Sequence, residues 1–170
     1  RSAAPSGSRA VAQVLGDLGV DVRLATTTAA ATAAAGPGNT LLATDPDLLV
    51  ASQVRAVLRT GADLVVVAPT EVAAFSASLA AADVSPPEVR AAACDLPVAR
   101  RAGPADAGGL GFALREGSDG VGCYAQDGVA SLVQVREGAR TVTVLGSPVG
   151  LTNARLDDEG NAALALGLLG

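Results

Sequence analysis

Histidine, lysine and tryptophan are absent from this 170-residue chain, and aromatic residues make up only 2% of it. Without histidine, Ser-His-Asp and Cys-His nucleophilic catalysis, histidine-ligated zinc and ordinary imidazole acid–base chemistry are excluded within the chain. All twelve basic residues are arginine, so a P-loop lysine, a Schiff base and a lysine general base are excluded as well. Two cysteines cannot assemble a four-cysteine zinc or iron–sulfur site. With so few aromatics there is no platform on which bases could stack. The net charge of -5 and pI near 4.6 run against a phosphate-backbone partner, and nucleic acid is not expected. No apolar run is long enough to cross a bilayer.

What the chain does have is aliphatic bulk. Hydrophobic residues make up 49% and charged residues 17%, with mean hydropathy +0.40. This composition suits a folded, soluble domain whose core is built from Ala, Val and Leu, and the length suits one domain over residues 1–170.

Periodicity divides the chain into alternating elements. Val11, Val14, Leu15 and Leu18 recur at helical spacing, with Ser6 or Ser8 to cap and Gly19 to end the helix. Val20, Val22 and Leu24 alternate with Asp21 and Arg23, the two-residue period of a strand. Residues 29–35 read as an Ala-rich connector, and TLLAT at 40–44 as a short buried strand broken by Asp45-Pro46-Asp47. A helix over about 52–60, the apolar run DLVVVAP and a helix over 71–81 follow. Residues 85–122, rich in Pro and Gly, read as a loop-rich insertion with short strands at most, for instance near 89–93. A β-hairpin over residues 131–145 then sets Val133 and Val135 against Val142 and Val144, and a last helix covers about 158–169. The expected fold is therefore α/β: an open, mostly parallel sheet of flavodoxin-like type with helices on both faces.

In such a sheet, ligands lie beyond the carboxyl ends of the strands. That rule selects Thr26, Asp45, Thr70, Glu71, Ser147 and Asn153 as candidate ligand-binding residues. Helix capping and turn chemistry explain each of them equally well when taken singly. A cluster holding Asp45 and Glu71 could bind a hydroxylated ligand or a hard cation. Asp157, Asp158 and Glu159 lie at a helix start, where negative charge interacts well with the dipole, so capping is preferred to calcium binding. Asn161, in the first turn of an apolar helix, is positioned to hydrogen-bond a neighbouring loop. No glycine cluster gives GxGxxG between a strand and a helix. Cys94 and Cys123 border the loop-rich segment. A disulfide between them would close a long loop and remove about 3 to 4 kcal/mol of unfolded-state entropy; it is favoured over two buried thiols and needs an oxidising compartment.

The opening SAAPSGSRAVAQVL, the central TLLATDPDLL and GADLVVVAP, the ACDLP and CY segments and above all the closing LTNARLDDEGNAALAL resemble an uncharacterised actinobacterial family of membrane-anchored proteins. The resemblance implies a domain similar to the class I glutamine-amidotransferase-like fold, held outside the cytoplasm between two transmembrane helices and encoded near MoxR-type AAA ATPases. Those amidotransferases need a cysteine on a tight elbow and a histidine. Here the corresponding strand ends in Ala68-Pro69-Thr70 and histidine is absent.

These readings combine into an expected non-catalytic, extracytoplasmic sensing, ligand-binding or scaffolding domain of a membrane protein, using no cofactor. Its partner is a small ligand or an envelope protein, and membrane association comes through flanking segments. The alternative is a metal-assisted hydrolase or transferase that uses the strand-end carboxylates.

Overall fold

The computed structural model describes residues 2–170. Its centre is β2 (Asp63–Val67), whose continuous apolar run is buried on both sides. Leu64 and Val66 face one core cluster, and Val65 and Val67 face the other. β1 (Thr40–Ala43) and β7 (Arg140–Leu145) both pair with β2 in parallel. β6 (Leu132–Glu137) pairs antiparallel with β7, and β5 (Gly120–Cys123) antiparallel with β6. The order is β1-β2-β7-β6-β5.

One face is covered by α1 (Arg9–Asp17), α4 (Pro97–Ala102) and α5 (Asn161–Leu169), which bury Val11, Leu15, Ala99, Leu164 and Leu168. The other is covered by α3 (Ala51–Leu58), through Val54 and Val57, and by the segment carrying Val72 and Phe75. Gln53 starts α3 by accepting the Val50 N–H at 2.9 Å through its side chain. The β6–β7 hairpin closes on Gly138 and Ala139, with Gly138 at φ 66, the conformation that a tight turn asks of its first residue. The expected valines do face one another, and the register pairs Val133 with Val144 and Val135 with Val142.

The expected mostly parallel, flavodoxin-like sheet is overturned. Two of the four pairings in the main sheet are antiparallel, and a second, two-stranded antiparallel sheet stands apart, formed by β3 (Leu79–Arg90) and β4 (Ala105–Leu114). Residues 20–24 are not among the strands of either sheet, although Val20 and Val22 rest against the core. Leu24, the third apolar residue of that alternation, is 65% exposed, so the period does not mark one buried side. The Ala-rich connector is a helix, α2 (Thr28–Ala34), capped by Thr27 Oγ1, which accepts the Ala30 N–H at 3.2 Å.

The helix expected over 71–81 is a single 3₁₀ turn, Val72–Ala74, followed by the start of β3. Ser76 Oγ accepts the Ser78 N–H at 3.1 Å and donates to Glu137, an alternative to helical bonding that serine side chains offer the backbone. Residues 85–122 are likewise more ordered than a loop-rich insertion. They hold the end of β3, α4, all of β4 with Phe112 fully buried, and β5 of the main sheet. Where β4 crosses the end of β7, Leu110 donates its N–H to the Gly146 carbonyl at 2.9 Å. Gly146 has no room for a Cβ, which would overlap the Leu110 carbonyl.

Candidate functional site

The carboxyl ends of β1 and β2 form one polar edge. Thr44 Oγ1 donates to Asp45 Oδ2 at 3.0 Å, and the Thr70 N–H donates to Asp47 Oδ1 at 3.0 Å, which ties the two strand-end loops together. Asp45, Thr70 and Glu71 are exposed. So are Leu48 and Val50 in the same loop, at 80% and 62%. Thr26 is exposed beside the Thr27 cap. β2 itself turns sharply at Ala68, which takes φ 49 and donates its N–H to the Leu145 carbonyl at 2.7 Å. Strained strand ends of this kind elsewhere hold a nucleophile. This one carries only a methyl group. Among the described residues, no three Cys, Asp or Glu side chains gather where a metal ion could be held.

A second polar centre lies at the end of β7. Ser147 is half-buried, and its Oγ accepts the Val149 N–H at 3.2 Å. Two clefts of about 20 Å³ meet here and share Asp106, Leu145, Ser147 and Leu164. Each has room for little more than a water molecule. Their charged wall, Asp106, is committed to neighbours: Arg155 donates to both carboxylate oxygens, at 2.9 and 3.1 Å, and Asn161 Nδ2 donates at 2.7 Å. The Arg155 hydrogen bonds hold the Asp106 carboxyl below its ordinary range, against the opposing effect of burial. Asn161, 2% exposed, also accepts the Asp106 N–H at 2.9 Å and donates to the Arg155 carbonyl at 2.7 Å.

Asn153 works as a clasp and not as a ligand group. Its Oδ1 accepts the Ala10 N–H at 2.9 Å, and its Nδ2 donates to the carbonyls of Ser2 and Ala4 at 3.0 and 2.7 Å. The backbone repeats the attachment, with Asn153 and Ala154 donating to the carbonyls of Gly7 and Pro5. The six expected ligand residues thus fall into four places. Asp45, Thr70 and Glu71 share an edge, Ser147 lines the clefts, and Asn153 holds the N-terminal segment. Thr26 makes no contact that links it to the others.

Composition and spacing pointed to neither Arg90 nor Tyr124. Arg90 is buried, and all five of its N–H donors find acceptors: Glu88, Ser131, Gln126 and the carbonyls of Pro86 and Tyr124. Tyr124 donates its hydroxyl to the Gly103 carbonyl at 3.1 Å, and burial pushes its pKa up to about 12. Both residues flank the Cys94–Cys123 disulfide, whose Cα atoms are 5.2 Å apart. This is the bridge expected from sequence.

A family profile described as Domain of unknown function (DUF4350) matches residues 1–169. The chain belongs to this family. It is 35% identical over 173 residues to the uncharacterized membrane protein Rv3691 of Mycobacterium tuberculosis, covering 99% of this chain and 44% of that relative. The chain therefore spans less than half the length of the relative it matches. Among the described residues of this DUF4350 domain, no helix is long and apolar enough to cross a membrane. Among solved structures, the mmIFT52 N-terminal domain superposes with TM-score 0.51 at 13% identity, covering 91% of this chain and 86% of that one. That likeness is one of fold alone, and it replaces the flavodoxin-like and amidotransferase-like labels. An exo-β-1,4-mannosidase from Opitutaceae bacterium strain TAV5 aligns at TM-score 0.46 and 16% identity, over 75% of this chain and 24% of its own.

Proposed function

We propose that this DUF4350 domain is a non-catalytic scaffolding or sensing module, displayed on the extracytoplasmic side of a membrane protein. The observation that carries the reading is how the polar centre beside the clefts and the N-terminal clasp use their groups. Asp106, Arg155, Asn161 and Asn153 are all spent on holding the domain's own segments together, and the clefts between them admit little beyond water. The strained elbow at Ala68 presents no nucleophile. The disulfide supports an oxidising compartment, and the relative's name supports a membrane setting. The purified domain is expected to turn over no ester, amide or phosphate substrate, with or without added divalent cations. Robust turnover that disappears in Asp45→Ala would overturn this reading and favour the metal-assisted one.

A further inference from the structure

Leu48 is the most exposed of the large hydrophobic residues, at 80%, and Val50 two positions on is 62% exposed. Together they form an aliphatic tip that the domain's own core does not use. The tip is held in place and is not a loose loop. Pro46 is buried, a 3₁₀ turn spans Pro46–Leu48, Asp47 accepts the Thr70 N–H, and Gln53 grips the Val50 N–H. The charged residues on the two loops that form it are all acidic. Asp45 and Asp47 lie on the same loop, and Glu71 follows the Thr70 that Asp47 holds. Among the described residues, none of these three carboxylates is in an ion pair. Along the first loop, the next basic residue is Arg55, a turn into α3.

We infer that the ledge Asp45–Val50, with Thr70 and Glu71, docks an arginine- or lysine-bearing amphipathic segment of a partner protein, whose aliphatic side chain covers Leu48 and Val50. An apolar anchor ringed by unpaired charge of one sign selects a partner of the opposite sign and sets its approach. The same carboxylates repel an anionic lipid surface, which favours a protein segment over a bilayer as the occupant. The inference rests on the scaffolding reading and adds to it the place of contact and the chemistry of the partner.

The test titrates the 170-residue domain, followed by amide NMR, with a synthetic Arg/Leu amphipathic peptide and with its Glu/Leu counterpart of identical pattern. The cationic peptide is expected to shift residues 44–50 and 70–71, with an affinity that falls as salt rises. Leu48→Ser and Glu71→Gln, both at exposed positions and expected to melt with the parent, should each weaken binding, Leu48→Ser by about tenfold. Equal binding of the acidic peptide, shifts mapping elsewhere, no binding at all, docking of neutral phosphatidylcholine vesicles at the ledge, or self-association through Leu48 would each overturn the inference. None of these results bears on turnover, so the ledge can fail while the non-catalytic reading stands.

Discussion

Asn161 carries more of the structure than its size suggests. Its side chain satisfies an N–H, a carboxylate oxygen and a carbonyl while only 2% exposed. Removing it strands buried polar groups, which is more costly than losing hydrogen bonds to solvent. Asn161→Ala is therefore expected to lower unfolding stability by about 2 to 3 kcal/mol in urea titration, whereas substitution of exposed Thr26 should change it by less than about 0.5 kcal/mol. Tyr124 gives a second test, because it is the only tyrosine and tryptophan is absent. An unfolded tyrosine titrates near pH 10, and the folded one at about 12. The folded state thus keeps a proton that the unfolded state loses, so Tyr124 contributes stability below about pH 10 that is lost as pH rises towards 12. Absorbance titration should show a single tyrosinate transition, near 12 in the folded domain. A transition near 10 in the folded domain would refute burial of the hydroxyl. In the sequence, Asn161 could be singled out because a polar residue inside an apolar helix needs a partner. Asp106, its actual partner 55 positions earlier, carries no local signal at all.

At the level of elements, legibility followed the range of the interactions. β1, α3, β2, the β6–β7 hairpin and α5 are each marked by an apolar run or period in their own residues, so each could be read directly. β3 and β4 could not, because they exist by virtue of each other. β3 contains Pro86 and Pro87, its register with β4 shifts twice, and its first residue completes a helical pattern with Val72 and Phe75. The disulfide belongs to this scale, since it ties the segment after β3 to the end of β5 across 29 positions. Loop closure of that length stabilises by about 3 to 4 kcal/mol. Reduction is expected to lower the melting temperature by on the order of 10 °C, and alkylation without reductant should find no free thiol. Two alkylated cysteines in the native protein would refute the bridge and remove the support it lends to an oxidising compartment.

For the whole molecule, composition excluded far more than it identified. The lack of histidine and lysine ruled out families of mechanism, and the candidate rule for strand carboxyl ends found one real polar edge, at Asp45, Thr70 and Glu71. It also selected Asn153, whose side chain bonds the N-terminal segment; the same residue type suits a ligand or a clasp, and the fold uses it as a clasp. That clasp also sets an order of events. Ala10, Ser2 and Ala4 bond to a residue more than 140 positions later, and α1 rests against α5. The clasp itself can close only once Asn153 has been made, whatever part of the core α1 has already met. The N-terminal segment is thus fixed to the rest of the domain only after nearly all of the domain has been made.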